Sequence, residues 1–173
     1  MAHKINVRVL ALILAVIAIF TCFVSCSDKQ EDGGQAETTQ QQQQTGTFVP
    51  PEFDKGVIKG TPYIKNPQAI GYSELDAQAY KLSICGKVTV VAGKADIYFT
   101  NPKSNNVWLK LRIFNEAGVI IAETGLVCPG EYLQTITFNK VPSSGDKITM
   151  KVMGYEPHTY YSAGAADINT VVS

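Results

Sequence analysis

Histidine is nearly missing from this chain, with two in 173 residues, and one of them, His3, stands in the N-terminal segment. A Ser-His-Asp or Cys-His arrangement in the folded part would therefore have to use His158. The G-x-S-x-G, H-E-x-x-H and phosphate-loop patterns are also lacking. Zinc needs three or four clustered ligands, and one histidine with two separated cysteines does not supply them. Calcium needs several closely spaced oxygen ligands, and no D-x-D-x-D run exists. No metal or other cofactor is expected, and no enzyme activity. One carboxylate possibility stays open, because Glu116, Glu123, Glu131 and Glu156 can meet in space as a hydrolase pair.

Net charge is lacking as well: Lys+Arg 15 balance Asp+Glu 15. A balanced chain has no general pull toward nucleic acid, which is not expected as a partner. Cysteine is scarce outside the N-terminus. Of 4 Cys, Cys22 and Cys26 precede the polar region, leaving Cys85 and Cys128. A single disulfide and free thiols are both compatible with that count; unpaired, buried thiols acting as small apolar groups are expected.

Against these absences stands one long apolar run. Lys4 and Arg8 form a positive start, residues 9–20 are continuously apolar, and the run closes on Phe23-Val24-Ser25-Cys26. A charged start, an apolar centre and a small residue before the cleavage point are the parts of an export signal. The tetrapeptide resembles the lipobox of bacterial lipoproteins, although the family usually has Leu where this chain has Phe23. The resemblance implies a signal peptide over 1–25 and lipidation at Cys26, whose acyl chains would insert in the bilayer. The expected location is the extracytoplasmic face of the cell membrane. An uncleaved anchor and ordinary secretion are the competing readings, and for an anchor the run is at the short end of the roughly 17–25 residues needed to span.

Residues 26–47 are polar, with nothing apolar larger than alanine from 27 to 46. Such a stretch cannot bury enough surface to offset its chain entropy, so it is expected to be a disordered tether. About 20 residues of flexible coil reach roughly 25 Å. Residues 48–80 carry Pro50, Pro51, Pro62 and Pro67. They are expected as an extended arm, with one short helix over 73–80 behind the cap Ser73.

From 81 to 173 the pattern has period two, broken by turns. Strands are expected over 87–92, 95–100, 107–114, 119–123, 132–138, 147–155 and 166–172. In 107–114 the residues Val107, Leu109, Leu111 and Ile113 fall on one face. Asn115-Glu116-Ala117-Gly118 reads as a hairpin turn in which glycine supplies the positive φ. About seven short strands with regular turn signals predict an all-β, antiparallel, immunoglobulin-like sandwich. The segment 84–172 resembles a small β-sandwich module of surface lipoproteins in clostridia-like Gram-positive bacteria. The features that carry this are Asn101-Pro102, Asn105-Asn106, the 115–118 turn, Thr124-Gly125-Leu126-Val127, Pro129-Gly130 and Asn139. The resemblance implies architecture and location, not a reaction.

Two binding candidates follow. The first is the 155–161 loop, with Tyr155, His158, Tyr160 and Tyr161, since aromatic loop residues make good contacts for sugars and proteins. The second is the outer side of the 107–114 strand, where Trp108, Lys110, Arg112 and Phe114 alternate. In both, the competing expectation is structural: the loop rings fold back on the sandwich, or the strand's aromatics lie beneath the arm. The reading that results is a membrane-anchored, non-catalytic display module for a cell-wall glycan or surface protein. A carbohydrate-binding module of the envelope and a small hydrolase or inhibitor are the alternatives.

Overall fold

The computed structural model describes residues 49–173. The signal peptide 1–25, the lipidation site Cys26 and the tether 26–47 lie outside the described residues. Nine strands make two sheets: β1 Ile58–Lys59, β2 Tyr72–Asp76, β3 Lys81–Cys85, β4 Lys94–Asn101, β5 Trp108–Asn115, β6 Ile120–Glu123, β7 Glu131–Thr137, β8 Lys147–Tyr155 and β9 Ser162–Val171. One sheet runs β1-β7-β4-β3-β2 and the other β6-β5-β8-β9. Every strand pair is antiparallel, so the expected antiparallel β-sandwich is observed.

The core follows from period-two alternation. In β5, Leu109, Leu111 and Ile113 are fully buried while Trp108, Lys110 and Arg112 are half-buried on the other face. In β8, Ile148, Met150 and Val152 turn inward. They meet Leu82 and Ile84 of β3 and Ile97 and Phe99 of β4 in one cluster between the sheets. Burying each such side chain stabilises the fold by about 1.5–3 kcal/mol before conformational entropy is counted.

The expected arm is built into the domain. Its residues supply β1, which pairs with β7, and β2, which pairs with β3 along its whole length. The short helix expected over 73–80 does not form. Tyr72–Asp76 is a strand, and Leu75 lies opposite Leu82 with its side chain against the core. Asp76 then accepts from the amide of Gln78, whose φ is 67°, and the chain reverses into β3. Ser73 begins no helix because long-range pairing with β3 and burial of Leu75 outweigh a local cap and a weak propensity.

The strand expected over 87–92 is also absent. The strand lies just before it, at Lys81–Cys85, and 87–92 forms a connection pinned by Val88 bridging Val172. Ala92 (φ 50°) and Gly93 (φ 75°) reverse the chain ahead of β4. The hairpin at 115–118 forms as expected, with Gly118 at φ 72° and its amide donating to the Asn115 carbonyl at 2.9 Å.

The Asn101 and Asn105 positions prove to be clamps. Asn101, fully buried at the end of β4, donates from Nδ2 to the carbonyls of Val107 and Val127, each at 2.9 Å. Asn105 donates to Asn101 Oδ1 at 2.7 Å and exchanges hydrogen bonds with the backbone of Lys81. These two amides tie β3, β4 and the leads into β5 and β7 at one end of the sandwich.

Thr124-Gly125-Leu126 is a docking strip for the N-terminal segment. The Asp54 amide donates to Leu126 O at 2.9 Å, and the Leu126 amide to Glu52 O at 2.8 Å. Asp54 Oδ2 accepts from the Gly125 amide at 2.8 Å. A Cβ at Gly125 would stand 2.4 Å from the Asp54 nitrogen, so the close approach requires glycine.

Candidate functional site

Trp108 opens β5 and lies directly opposite Tyr155, the last residue of β8. From Tyr155 the chain leaves the sheet through 156–161 and returns as β9. This loop is closed by its own hydrogen bonds: the Glu156 amide to Tyr161 O at 2.9 Å, the Tyr160 amide to Glu156 O at 3.0 Å, and the Thr159 amide to Pro157 O at 2.9 Å. The hydroxyl of Thr159 donates to Glu156 Oε2 at 3.3 Å. The tight closure puts His158 at φ 70° and Tyr160 at φ 58°. Positive φ in non-glycine residues costs energy and recurs at ligand sites.

The strained turn sends two rings back toward Trp108. The Tyr160 ring centroid lies 5.3 Å from the Trp108 ring, and that of His158 lies 6.2 Å away, edge-on. A fourth ring comes from the N-terminal segment. Phe53, carried by the clamped strip at Asp54, meets Trp108 edge-to-face at 4.8 Å. Such T-shaped pairs are favourable because the positive ring edge faces the negative ring face. The result is an aromatic cluster of Phe53, Trp108, His158 and Tyr160 at one end of the domain.

The two binding candidates of the sequence thus divide and recombine. Trp108 joins the loop, while Arg112 does not. Arg112 Nε and Lys110 Nζ both reach Glu123 Oε2, at 3.1 and 3.0 Å. The Lys110 ammonium, with Arg112 beside it, holds the Glu123 carboxyl below its usual value of 4.5. Tyr155 keeps to its strand, its hydroxyl 3.8 Å from Met153 Sδ. Tyr161 is 71% exposed and points to solvent. The fold-back and the cover by the arm, both expected as structural alternatives, are each observed around Trp108. Phe53 was missed, since no local pattern around 53 reveals a partner fifty-five residues later.

The four candidate carboxylates are each drawn to a different partner. Glu116 pairs with Lys147 at 3.5 Å, Glu123 with the two cations, Glu131 accepts from the Cys128 amide, and Glu156 from Thr159. Both described cysteines are free: Cys85 is fully buried, and Cys128 is half-buried instead of enclosed. Burial pushes the Cys85 thiol up to about 12. Cys128 is raised too, first by burial and then by the Glu131 charge.

No family model, curated protein or solved structure matches this chain.

Chemically, the Trp108 cluster offers ring faces and edges together with the exposed imidazole of His158. That combination suits contact with an amphipathic surface, apolar on one side and hydrogen-bonding on the other.

Proposed function

We propose that this chain is an extracytoplasmic lipoprotein, held to the bilayer through lipidated Cys26, that displays a non-catalytic β-sandwich to a partner at the cell surface or wall. The location rests on the signal-like 1–25 segment and the lipobox resemblance. The polar tether 26–47 gives the domain its reach.

The binding assignment rests on one observation. Two of the loop's residues, His158 and Tyr160, occupy strained backbone while their rings stand against the only tryptophan of the chain. Each such residue costs on the order of 1–2 kcal/mol. A loop needed only to connect β8 to β9 would be served by glycine there. Retaining solvent-accessible rings in these conformations fits a pre-organised contact surface, because rings fixed before binding lose little entropy on contact.

Two experiments test the proposal. Replacing Cys26 with Ala should move the protein from the membrane fraction to the medium with an unchanged melting curve; a variant still in the membrane removes lipid anchoring. Adding surface-protein extract should shift Trp108 emission, and Trp108→Ala together with Tyr160→Ala should abolish retention. Full retention by the double variant removes the aromatic end as the contact.

A further inference from the structure

The five-stranded sheet carries a second set of aromatics on the face turned away from the core. Pairing places Tyr132, Thr100, Ser83 and Glu74 in one row across β7, β4, β3 and β2. Leu82 and Ile84 flank Ser83 in β3 and point into the core, so this row points outward. Tyr72 stands opposite Cys85 on the same face. Its ring lies 6.5 Å from that of Tyr98, edge-on.

These rings roof the sheet. Ser83, Thr100 and Cys85 face outward yet are 8%, 5% and 0% exposed. Tyr72 Oη lies 2.9 Å from Thr100 Oγ1, and Thr100 in turn donates to the Tyr98 carbonyl. Gln134 reaches the Tyr98 hydroxyl at 3.4 Å. The rings themselves stay half-exposed.

Tyr98 is held there by a distortion. The β4–β7 register shifts between Asp96 and Phe99, and Tyr98 sits inside this bulge at φ 45°. A bulge re-aims a side chain, and a tyrosine at positive φ is a rare and costly way to fill one. Along β4 from Tyr98, Asp96 accepts from the Thr135 hydroxyl at 2.7 Å. These two residues edge a cavity of about 320 Å³, also lined by Lys87 and Thr89. That volume is in the range of small-molecule sites.

We infer that the outer face of the five-stranded sheet, centred on Tyr98 with Tyr72 and Tyr132, is a binding platform for a saccharide chain. A sugar ring has an apolar C–H face and a rim of hydroxyls. The tyrosine rings match the first. Asp96, Gln134, Thr135 and Lys87 match the second as donors and acceptors. The charges on this side are mixed in sign, and Glu74 is paired with Lys81 at 3.1 Å. No single charge therefore dominates, which suits a polyhydroxylated ligand better than a polyanion. The assignment draws on the proposed extracytoplasmic location only for access to polysaccharide; its residues are separate from the Trp108 cluster.

The test uses the detergent-extracted full chain and three probes: cellohexaose, N-acetylchitohexaose and soluble peptidoglycan fragments. Calorimetry should show binding of at least one probe, with Trp108 emission unchanged, because the only tryptophan lies on the other sheet. Tyr98→Ala and Tyr132→Ala should each weaken binding about tenfold or more, as for a central aromatic contact. Tyr98→Phe should retain most of it, and Trp108→Ala should have no effect. Melting curves identify any variant that fails to fold; Tyr132→Ala, at a position of ordinary backbone, carries the test if Tyr98→Ala does. No binding by any probe overturns the inference. So does binding that shifts Trp108 emission and survives both tyrosine replacements; that outcome gives the glycan to the Trp108 end and leaves the proposed function standing. Saccharide binding on the tyrosine face in a chain that proves to be unanchored would fail the location alone.

Discussion

Replacing Gly125 with Ala should release the N-terminal strip from the sandwich. A methyl group there would sit 2.4 Å from the Asp54 nitrogen and 2.7 Å from both its Cα and the Phe53 carbonyl carbon. All three are backbone atoms and cannot rotate away, so the strip itself must move. It then forfeits two backbone hydrogen bonds, Asp54 N–H to Leu126 and Leu126 N–H to Glu52. It also loses the Gly125 amide from the Asp54 carboxylate and Phe53 from Trp108. Each neutral bond contributes about 1 kcal/mol net, and the carboxylate bond about 1.5 kcal/mol at the low end of its range. The ring pair adds about 0.5–1.5 kcal/mol. Water compensates part of the loss at a half-exposed strip, leaving a cost of about 3 kcal/mol. For a domain of this size that lowers Tm by roughly 10 °C. Trp108 supplies a local reporter, because losing Phe53 exposes its indole and should move emission to longer wavelength. Thermal melts and emission spectra of Gly125→Ala decide the matter. Unshifted emission with Tm within about 2 °C of the parent protein would refute the clamp and with it the placement of Phe53 in the cluster.

Other consequences follow from single contacts. Gly154→Ala would push a methyl to 2.6 Å from the Tyr80 ring, a buried side chain that cannot retreat, so chemical denaturation should show a loss of about 1–3 kcal/mol; Tyr80→Phe, which removes the 2.9 Å bond to the Val152 carbonyl, should cost about 1 kcal/mol. Asn101→Leu leaves the Val107 and Val127 carbonyls without their buried donor, and denaturation should show about 2–4 kcal/mol lost. Glu123 titrates below 4.5 in the folded state, so its stabilisation is complete above that value and fades as pH falls through the lowered one; with its side chain 42% exposed the effect is about 0.5 kcal/mol, and Glu123→Gln should flatten the acid limb of the stability–pH profile by that amount. Thiol labelling at pH 8, mapped by mass spectrometry, should find Cys85 unmodified until denaturant is added and Cys128 modified slowly, since burial disfavours both thiolates and encloses only the first.

Local pattern is enough to dictate the layered β architecture, because alternation in 107–114 and 147–155 admits one buried face per strand and glycine at 118 admits one kind of turn. It also placed Trp108 on the outer side of its strand and marked 155–161 as an aromatic loop. What it could not decide was partnership. Ser73 to Tyr80 has local helical features, yet pairing of Leu75 with Leu82 made Tyr72–Asp76 a strand, and that pairing energy is written in another segment. The expected extended arm forms β1 and β2 for the same reason. Asn101 and Asn105 have the local features of turn residues, and their amides bridge four stretches of chain. Phe53 reached Trp108 only through the strip at Gly125, and Tyr98 reached Tyr72 only through a bulge that no alternation pattern records. Period and turn chemistry are local, so they can be read along the chain. Which rings meet, and which backbone is strained to bring them together, depends on contacts between distant segments, and only the tertiary structure supplies those.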